Sequence, residues 1–229
     1  MVAHLSQPFD GPHGAGIAEP GACGHHGCFR PDRERATTPA TVVTYVRTVA
    51  SVIVLLLAAV HHSSEWLLVG LAIYWIGDIA DGIIARSTDT ETRWGAVMDI
   101  VSDRLCCACY YFGLAWLDPH LWPAVALFAV NFMLVDAFLS LAFLAWPLIS
   151  PNYFFLVDRV IWRWNWSKPA KAVNSALVAI LLEVTRNVWL GVAIAGVLLI
   201  VKVVSLARLG RIGLPVPGDG SPACAAATA

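Results

Sequence analysis

Four aspartates interrupt an otherwise apolar part of the chain, at spacings that suit the joint binding of cations. They are Asp78, Asp81, Asp99 and Asp103. The first two lie three positions apart and the last two lie four apart, so each pair shares one face of a helix. A short turn over residues 87–94 joins the two predicted helices as an antiparallel pair. We therefore predict that the two acidic faces meet at one spot.

Carboxylates gathered at one spot repel one another unless cations neutralise them. Their hard oxygen atoms suit Mg²⁺ or Mn²⁺, and two divalent ions would balance the four negative charges. Such ions attract a diphosphate, screen its charge and activate its phosphorus. The alternative is that Arg86, Arg93 and Arg104 neutralise the aspartates in simple ion pairs.

Small and basic residues beside the aspartates fit the same chemistry. Gly82 has no side chain, so a phosphate or a nucleotide can approach the helix closely. Arg86 lies four positions further along the same face and can donate to phosphate oxygens. Gly95 allows the two helices to pack tightly.

The composition places these residues in an integral membrane protein. Of 229 residues, 58% are hydrophobic and 14% are charged, the mean hydropathy is +0.68 and the formal net charge is −1. Average globular chains contain about 25% charged residues, so these values exclude a disordered chain, most soluble enzymes and a nucleic-acid-binding protein. We predict an all-α integral membrane protein built as a six-transmembrane-helix bundle, since a span needs roughly 20 residues. The candidate spans are Thr41–Val60, Trp66–Ala85, Gly95–Leu117, Leu121–Leu148, Ala172–Val184 and Val188–Leu206.

The basic residues predict how this bundle lies in the membrane. With the amino terminus inside, Arg186 is the one Lys or Arg on the outer side, and the outer loops at 61–65 and 118–120 contain neither. This asymmetry is typical of an even number of spans with both termini cytoplasmic. The aspartates then lie near the cytoplasmic side of a multi-pass protein of the cell membrane. A charge at membrane depth is costly and usually has a function or a partner.

The regions that flank the spans differ in composition. Residues 1–36 are rich in Gly, Pro and His, and we predict a disordered N-terminal arm there. Residues 37–211 form the predicted membrane domain, and residues 212–229 form a loose C-terminal tail. Cys23 and Cys28 bracket two histidines, but their crowded, Gly-rich spacing is unlike that of a usual zinc site, so we interpret the segment as flexible.

The acidic region also matches a known pattern, Asp78-x2-Asp81-Gly82-x2-Ala85-Arg86-x8-Gly95-x3-Asp99-x3-Asp103. This run resembles, without a mismatch, the signature of the class I CDP-alcohol phosphatidyltransferase family. Thr44 and Arg47 resemble the T-x-x-R of the family's first helix. That stretch usually begins with Asn, and Thr41 stands in its place here, which leaves the contribution of position 41 to nucleotide contact open.

The resemblance implies an activity and a role for each matching residue. Family members move a substituted phosphate from a CDP-linked alcohol, often CDP-diacylglycerol, to a hydroxyl and release CMP, in phospholipid biosynthesis. Asp78, Asp81 and Asp99 would be metal ligands. Asp103 would bind the second metal and act as the general base. The residues implied to hold the cytidine diphosphate group are Thr41, Thr44, Gly82, Arg86 and Thr92. The resemblance also suggests a homodimer in the lipid bilayer.

A basic cluster between the fourth and fifth spans bears on the acceptor. Arg159, Lys168 and Lys171, together with Arg163, could bind a phosphate on an acceptor such as glycerol 3-phosphate or an inositol phosphate. The alternative is contact with anionic lipid headgroups. The stretch from Thr92 to Asp99 resembles inositol-phosphate-using members of the family. Asp136, deep in the fourth span, is predicted to face another helix or the cavity.

Two other function classes compete with this reading. A membrane cation-binding transporter would use the carboxylates as ion ligands, and it predicts polar residues through the full depth of the membrane. Here the aspartates cluster at one edge. A non-catalytic membrane or assembly protein with a decayed motif is the other class, and the intact set of four aspartates argues against it.

Overall fold

The structure, a computed structural model, describes residues 27–213 and confirms an all-α architecture. Within that range, the only pairing of the β type is an isolated bridge between Cys28 and Leu148. Two 3₁₀ turns lie at Pro31–Arg33 and Pro151–Leu156. The helices are α1 (Pro39–Val60), α2 (Ser64–Ser87), α3 (Arg93–Leu117), α4 (Pro119–Ala145), α5 (Arg159–Asn165), α6 (168–185) and α7 (Val188–Ile212).

Side-chain caps set where the long helices begin. Thr38, Ser63, Thr92 and Asn187 precede α1, α2, α3 and α7, and each accepts a hydrogen bond from a backbone N–H of the first turn. The caps satisfy N–H groups that no helix carbonyl can reach. Because Thr92 fixes the start of α3 at Arg93, it also fixes the direction in which Asp99 and the residues of the next turn project from the helix.

Four of the helices, α1, α2, α4 and α7, are long and apolar enough to cross a membrane. Their outer faces expose apolar side chains, such as Val60 at 72% and Ile76 at 68%, as expected of a lipid-facing surface. The other two predicted spans are also helical, but α3 contains charged residues near its start and α6 begins at Lys168 with Lys171 in its first turn. Six crossings and the positions of the termini remain predictions.

A close contact between α1 and α2 positions the acidic face of α2. Ser51 donates to the carbonyl of Gly70 over 2.8 Å, and a Cβ at Gly70 would come 2.6 Å from Leu55 Cδ2. One heptad further on, Gly77 lies directly against the side chain of Arg47. The two glycines therefore let the helix backbones approach, as small residues do between membrane helices.

The last part of the predicted N-terminal arm makes contacts with the bundle. We predicted disorder over residues 1–36, and the structure describes residues 27–36 of this range. Glu34 accepts hydrogen bonds from the backbone N–H groups of Arg93, at 2.6 Å, and Trp94, at 3.1 Å, at the start of α3. Phe29 donates from its backbone to the carbonyl of Pro147. These long-range contacts leave no trace in local composition. Residues 1–26, with Cys23, and residues 214–229 lie outside the described part of the chain.

Candidate functional site

A cavity of about 530 Å³ between the helices collects nearly all the residues predicted for the site. Arg159 is the exception, since it is exposed at the start of α5 and is not among the residues that line the cavity in the described part of the chain. The predicted residues that do line it are Thr41, Thr44, Asp78, Asp81, Gly82, Arg86, Thr92, Asp99, Asp103, Lys168 and Lys171.

The acidic faces of α2 and α3 meet as their spacing predicts. One carboxylate oxygen from each of Asp78, Asp99 and Asp103 lies within 4.8 Å of the others. The three side chains are 39%, 39% and 20% exposed, and all three line the cavity, so an ion can reach them from it. Three carboxylates at such distances form a donor set that fits a hard divalent cation such as Mg²⁺ or Mn²⁺.

Asp81 differs from the other three aspartates in its surroundings. It is 5% exposed, and one of its oxygens accepts hydrogen bonds from Thr44 Oγ1 at 2.6 Å and from Arg47 Nε at 2.8 Å. Asp81 is not one of the three aspartates whose oxygens lie within 4.8 Å of one another. Its second carboxylate oxygen makes neither of these bonds.

Arg47 is the central cation of the cluster, and the residue-by-residue assignment of roles did not include it. Its guanidinium contacts all four aspartates and is 3% exposed. The sequence held a usable signal, because an arginine within the first span needs a partner and the aspartates need a cation. From Arg47 Nη2, the oxygens of Asp99, Asp103 and Asp78 lie at 2.5, 3.1 and 3.4 Å.

Two of the three arginines first considered as alternative counter-ions are engaged elsewhere. Arg93 donates to the carbonyls of Leu148 and Trp146, and Arg104 pairs with Asp136. Within residues 27–213, the ion pairs of the cluster thus join four carboxylates to one guanidinium. With all carboxylates ionised, the cluster carries a formal charge of −3. A single arginine does not neutralise it, which leaves room for further cations.

The predicted nucleotide-contacting residues lie at the start of α1 and α3 and on α2. The Thr41 hydroxyl takes part in the cap of α1, where it donates to the Thr38 carbonyl at 2.9 Å. Thr92 caps α3 by accepting from the backbone N–H of Gly95 at 3.0 Å. Both hydroxyls therefore have a structural role besides lining the cavity.

Gly82 keeps space open beside Arg86. A Cβ at Gly82 would lie 3.1 and 3.2 Å from the two terminal nitrogens of the Arg86 guanidinium. The absence of a side chain therefore lets the guanidinium lie over the surface of α2, at the edge of the cavity. This position suits a group that donates to an anion bound there.

The cavity also has a basic part, formed mainly by helices other than α1 and α2. Lys168 and Lys171 are exposed at the start of α6, whereas Lys202 on α7 is 2% exposed. All three line the cavity together with Arg104 and Asp136. The sequence predicted that Asp136 faces another helix or the cavity, and it gave Lys202 no role.

Gly77 was not singled out by the sequence motif, yet it decides where Arg47 lies. A Cβ at Gly77 would come 2.5 Å from Arg47 Cβ and 2.6 Å from its Cδ, distances that force α1 and α2 apart. We expect Gly77→Ala to lower the stability by about 1–3 kcal/mol through overpacking. It should also weaken Mg²⁺ binding, because the shift of α2 away from α1 moves Asp78 relative to Asp99 and Asp103.

Isothermal titration with Mg²⁺ and thermal unfolding of the purified variant measure both effects. Gly210→Ala is the matched control, because a Cβ at Gly210 meets nothing within 4 Å. Equal Mg²⁺ affinity in the Gly77 variant, the control and the unmodified protein would contradict the role given to the close contact.

Comparison with known proteins supports one family. The sequence model of the family described as CDP-alcohol phosphatidyltransferase matches residues 37–207. A phosphatidylinositol phosphate synthase from Mycolicibacterium smegmatis is 33% identical over 93 residues, an alignment that spans 41% of this chain and 40% of that protein. No solved structure matches. Because the family match extends over most of the chain, including every residue of the acidic cluster, this protein belongs to the CDP-alcohol phosphatidyltransferase family.

Proposed function

We propose that this protein transfers a phosphatidyl group from CDP-diacylglycerol to the hydroxyl of a small phosphorylated alcohol and releases CMP, as a step in phospholipid biosynthesis. The observation that carries the proposal is the convergence of three carboxylate oxygens within 4.8 Å in a cavity that Arg86 also lines. The cavity volume, about 530 Å³, lies within the range of about 300–1,000 Å³ that is usual for ligand pockets.

The proposal includes two divalent cations, Mg²⁺ or Mn²⁺. Asp78, Asp99 and Asp103 would hold them, with Asp81 contributing its second oxygen. Bound there, the ions would neutralise the charge of the donor's diphosphate and make its phosphorus more electrophilic. The four carboxylates and Arg47 together carry a formal charge of −3, which bound cations would offset. This remaining negative charge supports the assignment.

The residues of the chain itself position the donor and move the proton. The cytidine diphosphate group would lie against Gly82, with Thr41, Thr44 and Thr92 beside it. Asp103 accepts the proton of the acceptor hydroxyl as that oxygen forms a bond to the phosphorus that carries the lipid. The bond from this phosphorus to the oxygen of CMP breaks, and the electron pair leaves with CMP. Arg86 donates hydrogen bonds to the departing phosphate.

Lys168 and Lys171 support an acceptor that carries a phosphate, since both line the cavity. Arg159, which we predicted as a third acceptor-binding residue, is exposed away from the cavity lining and is no longer part of this proposal. Similarity to the mycobacterial phosphatidylinositol phosphate synthase favours an inositol phosphate over glycerol 3-phosphate.

The proposal places the site near the cytoplasmic face of the cell membrane, in a homodimer. The asymmetric distribution of Lys and Arg supports the orientation, and resemblance to the family supports the dimer. The four apolar helices support a location in the bilayer.

A single assay tests the function. The purified protein is incubated with CDP-diacylglycerol, Mg²⁺ or Mn²⁺, and a panel of acceptors: an inositol phosphate, inositol, glycerol 3-phosphate and glycerol. We expect CMP release that depends on a phosphorylated acceptor and falls to background when EDTA removes the metal. Metal-independent CMP release, or none with any acceptor, contradicts the proposal.

The alternative of a membrane cation-binding transporter makes a different prediction. It requires divalent-cation flux into protein-containing liposomes in the absence of any CDP-alcohol. The gathering of the acidic cluster at the end of α2 and the start of α3, rather than along the whole depth of the bundle, argues against a continuous cation pathway.

A further inference from the structure

Three charged side chains from three different helices meet inside the bundle. Asp136 on α4 pairs through one oxygen with Arg104 Nη2 of α3 and through the other with Lys202 Nζ of α7, each at 2.5 Å. The side chains of Arg104, Asp136 and Lys202, here called the charged triad, are 14%, 9% and 2% exposed. All three line the cavity that contains the acidic cluster.

The charged triad is not explained by packing alone. Two buried cations share one carboxylate, so the triad keeps a formal charge of +1 in the cavity that also contains the acidic cluster. Burying three charged side chains costs several kcal/mol of desolvation. The Nε of Arg104 is buried without a hydrogen-bond partner. Asp136 ends a π-helical turn, Val130–Asp136, and such turns often occur at functional sites.

The position of the charged triad relates it to the acceptor. Arg104 directly follows Asp103, the proposed base, and both line the same cavity. A phosphate monoester has enough negative charge and oxygen atoms to replace the Asp136 carboxylate at both cations, whereas a neutral alcohol lacks the charge. Asp136 therefore competes with any anion that binds Arg104 and Lys202.

We infer that Asp136 is a specificity-determining residue, an internal counter-ion that only a phosphorylated acceptor displaces from Arg104 and Lys202. This inference rests on the proposed function. While Asp136 is paired with Arg104 and Lys202, neutral and weakly anionic ligands do not bind these two cations. Removal of the Asp136 charge should strengthen phosphate binding, and removal of the Lys202 charge should weaken it.

Inorganic phosphate is the probe, and thermal unfolding of the full-length protein in detergent, without any CDP donor, is the readout. We expect Asp136→Asn to bind phosphate about tenfold more tightly and Lys202→Gln about tenfold more weakly than the unmodified protein, a change of ~1.4 kcal/mol in each direction. Arg211→Gln is the control, because it removes an exposed cation from the same helix as Lys202 and should leave phosphate binding unchanged.

Phosphate affinities of the Asp136 and Lys202 variants that stay within twofold of the unmodified protein overturn the inference. Should Asp136→Asn fail to fold, Lys202→Gln decides alone, because it retains the pair between Arg104 and Asp136. In the enzymatic assay, inorganic phosphate should compete with the inositol phosphate acceptor and not with CDP-diacylglycerol. Competition with the donor would assign the bound phosphate to the diphosphate site and refute the acceptor role. Absence of CMP release, while the phosphate affinities of the variants change as expected, would instead count against the proposed function.

Discussion

Asp103→Asn should abolish phosphatidyl transfer while the protein remains folded. The substitution removes the proposed proton acceptor, whose role in such reactions contributes roughly 10²–10⁴-fold to the rate. It also removes one of the three converging carboxylate oxygens that fit a divalent ion. The two losses act together, so we expect CMP release to fall at least roughly a thousandfold, at the upper part of that range.

Asparagine is nearly isosteric with aspartate and can still accept the hydrogen bond from Arg47, so thermal unfolding should change little. CMP release from CDP-diacylglycerol at saturating Mg²⁺ measures the rate. Asp118→Asn is the control on the same helix, since Asp118 lies at the opposite end of α3, at its C-cap. Turnover by the Asp103 variant at the rate of the Asp118 variant would remove Asp103 from the mechanism.

Arg47→Met should destabilise the metal-free protein strongly. One guanidinium contacts four aspartates, and its loss leaves them without an ion-pair partner in the described part of the bundle. Removal of one partner from a buried ion pair typically costs about 3–5 kcal/mol. We expect a loss of this size in unfolding experiments with EDTA present.

Divalent cations distinguish electrostatic from packing effects in this variant. Mg²⁺ should stabilise the Arg47 variant more than the unmodified protein, because the ion then neutralises the carboxylates without a guanidinium beside it. Arg186→Met serves as the control, because Arg186 is 36% exposed and pairs with Glu183 near the other end of the bundle, where an ion pair contributes at most about 1 kcal/mol. Equal Mg²⁺ stabilisation of all three proteins would mean that Arg47 supports the fold through packing and not as the counter-ion of the cluster.

The acidic cluster was predictable because its geometry is mostly local. Helix periodicity alone places Asp78 with Asp81, and Asp99 with Asp103, on common faces, and the short turn between α2 and α3 brings the two faces together. The all-α class follows from apolar segments of membrane length. The structure starts α6 at Lys168, before the predicted start of the fifth span at Ala172.

The partners of the charges were less accessible to sequence reasoning. Arg86, Arg93 and Arg104 are nearest to the aspartates along the chain, and the simplest assumption pairs them. Arg104 instead reaches Asp136, 32 positions away, and Arg93 holds backbone carbonyls of the segment that follows α4. The same holds for residues 27–36, whose order depends on contacts with α3 and with residues 147–149.

The sequence alone determined the family, the four carboxylates proposed to bind the metal ions, and the helices on which they lie. Repeat spacing within one helix fixes which side chains share a face. The tertiary structure decided that Arg47 is the cation that faces those carboxylates and that Gly77 leaves space for its side chain. It also decided that Asp136 joins Arg104 to Lys202. These contacts depend on how far apart and at what rotation separate helices pack, and side-chain volumes distributed over the whole bundle determine both.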